Sequence, residues 1–224
     1  IAPSFSNTKS LVFDGVDDFV NMGNVLNLAN DGSDAVSISL WLKTSLSSLG
    51  YLVSKQTGFT DGYAVFMLPT GAICFYLGSS GSSARIYACT QNTFNNGNWH
   101  NIVVTYDGSQ DVSGLNIYVN NTLETLTVFT NNTPNNVSNS GSFTIGMRNG
   151  NARPYLGHID EVAYFTSELS ASDVTSIYNS GVPNNLNDLS TPPLSWWRNG
   201  DGDTFPTLTD NGSGSNNGTM TNMT

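Results

Sequence analysis

Acidic side chains near the start of the chain are candidates for a metal site. Asp14, Asp17 and Asp18 lie within the short sequence FDGVDD, at the end of a predicted strand. Calcium takes six to eight oxygen ligands from carboxylates, amides and carbonyls, so clustered aspartates suit it. The alternative is that Asp14 and Asp17 only accept hydrogen bonds within the turn, as aspartate commonly does.

A second group of oxygen-bearing side chains lies near the end of the chain. Asn199, Asp201, Asp203 and Asp210 occupy positions 1, 3, 5 and 12 of a loop similar to an EF-hand calcium loop. Position 6, however, is Thr204 instead of the usual glycine, and no predicted helices flank the loop. A turn rich in Asp and Gly is the simpler interpretation.

Hydrolytic chemistry has few candidate residues. Cleavage of a glycosidic bond normally uses two carboxyl groups on one face, about 5 to 9.5 Å apart. The chain has three glutamates, Glu124, Glu161 and Glu168. The sequence contains no GxSxG, HExxH or Walker motif. We therefore expect no enzymatic activity.

Aromatic and polar residues in two loops and one strand could bind a glycan. Such sites combine an exposed ring, which stacks on a sugar, with polar side chains that bond to its hydroxyl groups. The candidates come from the strand VSISLWLK, the loops KQTGFTDGY and GMRNGNARPY, and the sequence that follows: Trp41, Phe59, Asp61, Tyr63, Arg148, Asn149, Asn151, Arg153, Tyr155 and His158. The alternative for Trp41 and for His158 is packing against a neighbouring element.

The elements that would position these residues are mostly strands. Apolar residues alternate with polar ones in VSISLWLK, NIVVTY, LNIYVN and SFTIG, and Gly, Asn and Asp interrupt the pattern about every ten residues. This predicts an all-β fold, a two-sheet antiparallel sandwich or jelly roll. One short helix is predicted near residues 170–180, with Ser170 and Asp173 forming a capping box and Gly181 ending it.

Two local features interrupt the alternation. Ile159 and Val162 are three residues apart, so a bulge near Asp160 is needed to bring both into the core. Cys74 and Cys89 flank a predicted hairpin and would face each other. They either form a cross-strand disulfide or are two small buried residues.

Composition and charge exclude several partners. The net charge is −10, with seven Lys plus Arg, so nucleic acid and anionic membranes lack a basic patch to bind. There is no run of 18 apolar residues that would span a bilayer. Charged residues are 11% of the chain and asparagines number 29, which suits a secreted or virion-surface protein. The chain starts at Ile1 without a signal peptide, so we expect a processed or excerpted chain.

Several of these strand sequences resemble laminin-G-like domains of the concanavalin-A-like lectin and glucanase family, of the type found in bacteriophage and bacterial surface proteins. They are SLVFDGVDDFVNMG, VSISLWLK, GNWHNIVVTYDG, LNIYVNN and YLGHIDEVAYFTSELSASDVTSIY, from about residue 8 to residue 183. The resemblance implies a jelly roll that often holds one structural calcium and often binds glycans. It also implies that the strand bearing Asp160 runs near the first strand, so Asp160 joins Asp14, Asp17 and Asp18 as a calcium candidate.

The same resemblance argues against catalysis. Glucanases of this fold carry Glu, Asp and Glu at alternating positions of one strand. The nearest match is HIDEV, where His158 and Val162 stand on either side of Asp160, so the triplet is absent.

The chain divides into three predicted parts. Residues 1–183 form the jelly roll, 184–193 form a linker, and 194–224 form a C-terminal segment. This segment resembles the opening strand that usually precedes FDG in such domains. It either begins a further repeat that the chain does not complete, or donates a strand within its own chain or to a neighbouring subunit. Trp196 and Trp197 are the candidate assembly residues and should be buried, since exposed they would form a sticky patch.

The sequence favours a non-catalytic module on an extracellular or virion surface. It would act in adhesion to glycans and in assembly, with self-association through the C-terminal segment, which also resembles tails of structural proteins of marine bacteriophages. The main alternative is a purely structural virion or filament subunit, such as a capsid decoration, tail or fibre protein, without a sugar ligand. A glycan-processing enzyme is the third hypothesis.

Overall fold

The computed structural model of the protein describes residues 5–58, 60–81, 83–149 and 152–223. Within these ranges the alternating sequences form two antiparallel sheets, and one α-helix lies outside them. The predicted all-β jelly-roll sandwich is confirmed. No helix of the described part is long and apolar enough to cross a membrane.

The first sheet is built from seven strands in the described residues. They are β1 (Leu11–Asp14), β3 (Val36–Lys43), β8 (Trp99–Tyr106), β9 (Leu115–Val119), β10 (Thr122–Leu123), β13 (Leu156–Phe165) and β14 (Ser195–Trp197). Their order is β1-β13-β3-β8-β9-β10, and β14 pairs with β13 as well.

The second sheet is built from nine strands in the described residues. They are β2 (Phe19–Asn21), β4 (Gly50–Lys55), β5 (Gly62–Met67), β6 (Ile73–Gly78), β7 (Arg85–Thr90), β11 (Leu126–Asn131), β12 (Phe143–Ile145), β15 (Thr207–Leu208) and β16 (Gly218–Thr221). Their order is β11-β7-β6-β5-β4-β12-β2-β16-β15, so β11 and β15 are the two edges.

The main core lies between the two sheets. Ile38 and Leu40 of β3 face Val65 of β5 and Phe75 of β6 across it, and these four side chains are almost completely buried. Because side chains alternate along a strand, the residues between them point to the outer faces. The alternation predicted for VSISLWLK is therefore the one that the structure has.

The helix α1 (Ala171–Tyr178) packs on the outer face of the first sheet. The predicted capping box is confirmed, since Ser170 and Asp173 each accept a hydrogen bond from the other's backbone N–H. The helix ends earlier than predicted, because Asn179 rather than Gly181 adopts the left-handed conformation at its C-cap. Val174 and Ile177 form the buried side of the helix, in a second apolar cluster.

The predicted bulge is confirmed in β13. Its register against β3 shifts between Asp160 and Ala163, and Glu161 has a φ of 51°. The bulge lets Ile159 and Val162 both face the main core, while Asp160 faces outward.

The C-terminal segment pairs with both sheets of its own chain. In the first sheet, β14 lies along the edge of β13 next to β1, and in the second sheet β16 lies beside β2. Trp196 enters the cluster under the helix, whereas Trp197 enters the main core and stacks on Phe143 at 5.5 Å between ring centroids. Adjacent strand residues point to opposite faces of the sheet, so the two tryptophans are buried in two separate apolar layers. The preceding stretch also packs here, through Leu186 and Leu189.

Candidate functional site

The outer face of the second sheet carries a layer of packed aromatic rings, which we call the tyrosine face. One ring comes from each of five strands that are neighbours in the sheet order β4-β5-β6-β7-β11. They are Tyr51, Phe66, Tyr76, Tyr87 and Phe129. For the first four of these rings, the neighbouring residues along the strand fill the main core, so strand alternation places the rings on the outside. Phe129 lies at a bulge in the edge strand β11.

The rings of the tyrosine face pack against one another. The centroid of Tyr87 lies 5.8 Å from that of Phe66, 6.2 Å from that of Tyr76 and 4.7 Å from that of Phe129. Tyr51 stacks on Phe66 at 5.1 Å. All these separations are within the range of favourable ring pairs. Phe129 is 54% exposed while Phe66 is 6% exposed, so the open ring surface lies at the β7–β11 end.

Small residues make room for the rings. Cys74 and Cys89 lie directly opposite each other on this face and are joined by a disulfide, which decides the alternative that the sequence left open. The ring of Tyr76 leans over Gly78, where any Cβ would collide with it. Its hydroxyl then donates a hydrogen bond to the carbonyl of Thr60 at 3.1 Å. The face is thus tied to the loop between β4 and β5.

Arginines surround the tyrosine hydroxyl groups. The guanidinium carbon of Arg148 lies 5.7 Å from the centroid of Tyr51. Burial raises the pKa of Tyr51, and the charges of Arg148 and Arg153 oppose that rise. Burial likewise raises the pKa of Tyr76, and Arg85 opposes it. Three of the four arginines in the chain therefore act on this one face.

The charge of this face differs from that of the whole molecule. The chain carries a net charge of −10, yet the groups nearest the tyrosine hydroxyls include three guanidinium ions. Guanidinium ions bind carboxylates through paired, charge-assisted hydrogen bonds, and aromatic faces pack on apolar ring surfaces. The arrangement suits a ligand that combines a ring with a negative group.

Comparison with known proteins now identifies the family. A laminin G family model, described as the concanavalin A-like lectin/glucanases superfamily, matches residues 14–175. The chain belongs to this family. No curated protein matches its sequence at a significant level.

Solved structures share the fold of this laminin-G-like chain at low sequence identity. A proposed carbohydrate-binding protein from Bacteroides ovatus has a TM-score of 0.62 and 13% identity, over 98% of this chain and 61% of that one. The chain thus spans about three fifths of that relative. The CBM40 domain of a Ruminococcus gnavus sialidase has a TM-score of 0.56 and 12% identity, over 77% of this chain and 97% of that one. A pentraxin from Limulus polyphemus has a TM-score of 0.54 and 16% identity, over 75% of this chain and 80% of that one.

Some residues singled out from the sequence meet at the rim of the tyrosine face. Arg148 and Arg153 act on Tyr51, and Asn149 lies in the turn between them. Asp61 is used inside its own loop, where it accepts hydrogen bonds from the backbone N–H of Thr57 at 3.1 Å and from the Thr57 hydroxyl. Phe59 and Asn151, two further candidates, lie outside the described residues.

Two predicted ligand aromatics are instead part of the core. Tyr63 is 1% exposed and its hydroxyl donates to the carbonyl of Leu26 at 2.7 Å. Tyr155 is fully buried and packs edge-on against Phe13. The sequence placed both in loops, but Tyr63 is the second residue of β5 and points inward. Neither ring is open to a ligand.

Trp41 and His158 lie on the opposite side of the molecule, on the outer face of the first sheet. Trp41 stacks on Tyr178 of α1 at 6.1 Å, and His158 packs edge-on against Trp99 at 5.7 Å. Burial lowers the pKa of His158, and the charge of Lys43 lowers it further. These residues cannot contribute to the tyrosine face.

The calcium candidates of the first strand divide into two places. Ligand oxygens of Asp14, Asp17 and Asp18 all lie within 4.8 Å of one another. Asp160 is not with them, because Asp14 pairs with Leu156, at the other end of the β1–β13 ladder. The fold does bring the late strand beside β1, but its register separates the fourth carboxylate from the other three.

The loop similar to an EF-hand does not gather its oxygens around one point. Asp201 accepts hydrogen bonds from the backbone of Thr8 and Lys9 at 2.9 and 3.1 Å. Asp210 accepts from the backbone of Trp196 at 2.8 Å, and the amide of Asn199 donates to a carbonyl of β13. Asp203 accepts from backbone N–H groups of its own turn at 2.9 and 2.7 Å. These side chains hold the C-terminal segment in place, as the turn interpretation predicts.

The two candidate assembly residues are buried within the chain. Trp196 is 2% exposed and its indole donates to Glu161 at 2.5 Å. Trp197 is fully buried and its indole donates to the carbonyl of Asn216 at 2.8 Å. Both side chains are therefore occupied in holding the two layers of their own subunit.

The sequence did contain a signal for the tyrosine face that the prediction missed. The hairpin symmetry that places Cys74 opposite Cys89 also places Tyr76 opposite Tyr87. An aromatic residue at an outward-facing strand position, repeated on the neighbouring strand, marks an aromatic layer on the outer face of the sheet.

Proposed function

We propose that this laminin-G-like chain is a non-catalytic glycan-binding module whose tyrosine face binds a sugar with a carboxylate or sulfate group. The observation that carries the proposal is the placement of Arg85, Arg148 and Arg153 around the packed rings of the tyrosine face, where Phe129 is exposed. The arginines would bind the negative group, and the exposed ring of Phe129 would pack on the sugar.

The fold relatives support this class of ligand. The CBM40 domain of the Ruminococcus gnavus sialidase has been solved bound to α2,3 sialyllactose, an acidic sugar, and has a TM-score of 0.53 with this chain. At 12% identity the similarity is one of fold, so the ligand is transferred here only as part of the proposal.

A binding role fits the carboxylates better than a hydrolytic role. Asp160 and Glu161 are adjacent, but Glu161 is bonded to the indole of Trp196 and to Arg198. On the tyrosine face, Asp61 is bonded within its own loop. Hydrolysis needs two carboxyl groups on opposite sides of one bond, and the hydrogen bonds of Glu161 and Asp61 leave these two engaged elsewhere.

We place the module on an extracellular or virion surface, where it would act in adhesion. The disulfide between Cys74 and Cys89 supports this location, because disulfides persist in oxidising compartments. Assembly through the C-terminal segment would need surface residues other than the two buried tryptophans.

Calcium remains part of the proposal, at the turn that holds Asp14, Asp17 and Asp18. Each carboxylate has one oxygen in a hydrogen bond: Asp14 accepts from Val16, Asp18 from the backbone of Asp14, and Asp17 from Asn222. The second oxygen of each accepts none within the described residues, so three oxygens are available to a hard cation.

The decisive experiment compares binding of sialyllactose and lactose by titration calorimetry. The wild type should bind sialyllactose at least tenfold more tightly. Arg85→Gln, on the strand next to Phe129, should remove most of that preference, and Phe129→Ala should weaken binding of the acidic sugar several-fold. Matched controls are Lys43→Gln on the other sheet and Phe205→Ala, an exposed phenylalanine close to the opposite edge of the second sheet.

Two results would overturn the proposal. One is equal affinity for the two sugars. The other is ordered particles or filaments formed by a chain that binds no glycan, which would favour the purely structural subunit.

A further inference from the structure

The outer face of the first sheet has a pocket that the tyrosine face does not use. Helix α1 covers one end of this outer face, and the segment before β1 covers another part. Between them remains a cavity of about 340 Å³, which we call the tryptophan pocket. Its lining includes Asn7, Lys9, Trp41, Trp99 and Asp160. The volume is at the lower end of the range for small-molecule sites.

The two tryptophans are held in place from behind. Trp41 stacks on Tyr178, which fixes one wall against the end of the helix. Trp99 packs edge-on against His158 and is 40% exposed, so part of its ring is open. Part of this large apolar ring is therefore available to pack on a ligand.

Asp160 lies beside the tryptophans because of the bulge in β13. It is the cross-strand partner of Trp41, which brings their Cβ atoms to about 5 Å. The residue that makes the bulge, Glu161, has a φ of 51°, a strained conformation for a non-glycine residue. Bulges near functional sites commonly re-aim one side chain, and here the side chain is an acid.

The carboxylate of Asp160 is buried without an opposite charge in contact. It is 5% exposed, accepts from the amide of Asn7 at 2.9 Å and from the backbone of Glu161 at 2.8 Å, and forms no ion pair among the described residues. Burial raises its pKa to about 7. A buried carboxyl group is costly, and the fold gains only two hydrogen bonds from this one. It still has acceptor positions for a ligand.

We infer that the tryptophan pocket binds an uncharged sugar ring, with the exposed part of Trp99 packing on the ring and Asp160 accepting hydrogen bonds from its hydroxyl groups. The buried Trp41 lines the wall of the pocket. The charges at the pocket decide between ligand classes. Asp160 and Lys9 can carry opposite charges, so the pocket as a whole favours neither an anion nor a cation. A neutral sugar has hydroxyl groups that both donate to Asp160 and accept from Lys9 and Asn7. The site is separate from the tyrosine face, which lies on the other sheet.

Indole signals in a proton–nitrogen NMR spectrum provide a direct test. The chain has four tryptophans, Trp41, Trp99, Trp196 and Trp197, and the tyrosine face has none of them. Methyl glycosides of glucose, galactose, mannose, xylose and arabinose are titrated to 50 mM, with signals assigned by single Trp→Phe variants. At least one sugar should shift the Trp99 and Trp41 signals with saturation, while those of Trp196 and Trp197 stay fixed.

Variants then test the residues. Trp99→Ala should weaken binding at least tenfold, and Asp160→Asn should weaken it at least fivefold at pH 8. Leu123→Ala, which removes an exposed apolar side chain from the far edge of the same sheet, should have no effect. Each variant is first checked for an unchanged circular dichroism spectrum, and Trp99→Phe replaces Trp99→Ala if the latter is unstable.

The inference is wrong if none of the five sugars shifts the Trp99 signal, or if Trp99→Ala and Asp160→Asn bind as the wild type does. Because the indole signals do not report on the tyrosine face, this result leaves the calorimetric test of the acidic sugar unaffected.

Discussion

At the scale of single residues, the adjacent acids Asp160 and Glu161 make stability depend on pH. Burial raises the pKa of Asp160 to about 7, and burial together with the charge of Asp160 raises that of Glu161 to about 8. Asp201 adds to the rise at Asp160, while Arg198 opposes it at both acids. A carboxyl group with a higher pKa in the folded state holds its proton more tightly there. Its contribution to stability therefore falls as pH rises from about 4 to about 8.

The variant Asp160→Asn has no titratable side chain at this position, so its stability lacks the pH dependence that Asp160 contributes. Each pKa unit corresponds to about 1.4 kcal/mol, so the variant should gain about 1 to 3 kcal/mol relative to wild type between pH 5 and pH 8. Urea unfolding at the two pH values measures this difference. Asp188→Asn, at an exposed site, is the control. A variant that follows the wild type at both pH values would show that Asp160 titrates normally.

The turn with Asp14, Asp17 and Asp18 gives a second prediction at this scale. Extracellular calcium sites commonly have dissociation constants near 0.1 to 1 mM, so 10 mM calcium should stabilise the fold by about 1 to 3 kcal/mol. That corresponds to a rise of roughly 3 to 10 °C in melting temperature for a chain of this size. Asp17→Asn should abolish most of the rise, whereas Asp188→Asn should keep it.

Magnesium serves as the ion control. It demands a tighter octahedral shell and dehydrates reluctantly, so the same concentration should shift the melting temperature much less. Equal effects of the two ions, or a calcium effect that persists in Asp17→Asn, would contradict a calcium site at this turn.

At the scale of elements, the hairpin β6–β7 carries a disulfide that lies on the tyrosine face and stabilises the fold. The disulfide between Cys74 and Cys89 spans a sequence separation of 15 residues, and closing a loop of that size contributes about 3 kcal/mol. Reducing the wild type should therefore lower its unfolding free energy in urea by roughly that amount. The double variant Cys74→Ala/Cys89→Ala should already show the loss and should not respond to reductant. A wild type that keeps its stability after complete reduction would contradict the prediction.

Local signals in the sequence determined most elements. The alternation in β3, the bulge at Asp160 and the capping box of Ser170 each depend on residues close together in the chain, and all three are confirmed. Such local signals do not predict contacts between distant segments of the chain. The approach of Arg148 to Tyr51 and of Tyr178 to Trp41 follows from sheet order and helix placement, which no local pattern fixes.

The candidate site was predicted less well than the fold, for a physical reason. Tyr63 and Tyr155 are predicted ligand residues because they flank turns. Strand phase turns Tyr63 inward, and Tyr155, just before β13, is buried against Phe13. Trp99 and Tyr87 were overlooked, although each occupies an outward strand position. The face of the sheet to which a strand residue points can be predicted only where the strand is long enough to show its alternation. At the ends of strands this assignment is ambiguous.

At the scale of the whole molecule, the C-terminal segment closes both layers. It contributes β14 to the first sheet and β16 to the second, and Trp197 fills the main core. Removing a buried tryptophan side chain typically costs 3 to 5 kcal/mol, and a small domain is stable by only 5 to 15 kcal/mol. A chain cut after residue 193 should therefore fail to fold on its own.

The order of the segments along the chain should matter less than their pairing. A circular permutant can place residues 191–223 first, join them by a fourteen-residue Gly/Ser linker to residue 5, and end at residue 190. The linker reaches about 45 Å when extended, which is comparable to the domain diameter expected for this length. The permutant keeps the pairing of β14 with β13 and of β16 with β2, so its melting temperature should be within about 5 °C of wild type.

A peptide of residues 191–223 tests the same pairing from outside. Added to the chain cut after residue 193, it should restore the β-sheet circular dichroism, as strand complementation does in other sandwiches. The same peptide with Trp197→Ala should restore much less, because the ring of Phe143 would lose its stacking partner in the core. If the truncated chain folds without the peptide and the permutant does not fold at all, the segment is not part of this domain. Its pairing with β13 and β2 would then have to be replaced by pairing with another subunit.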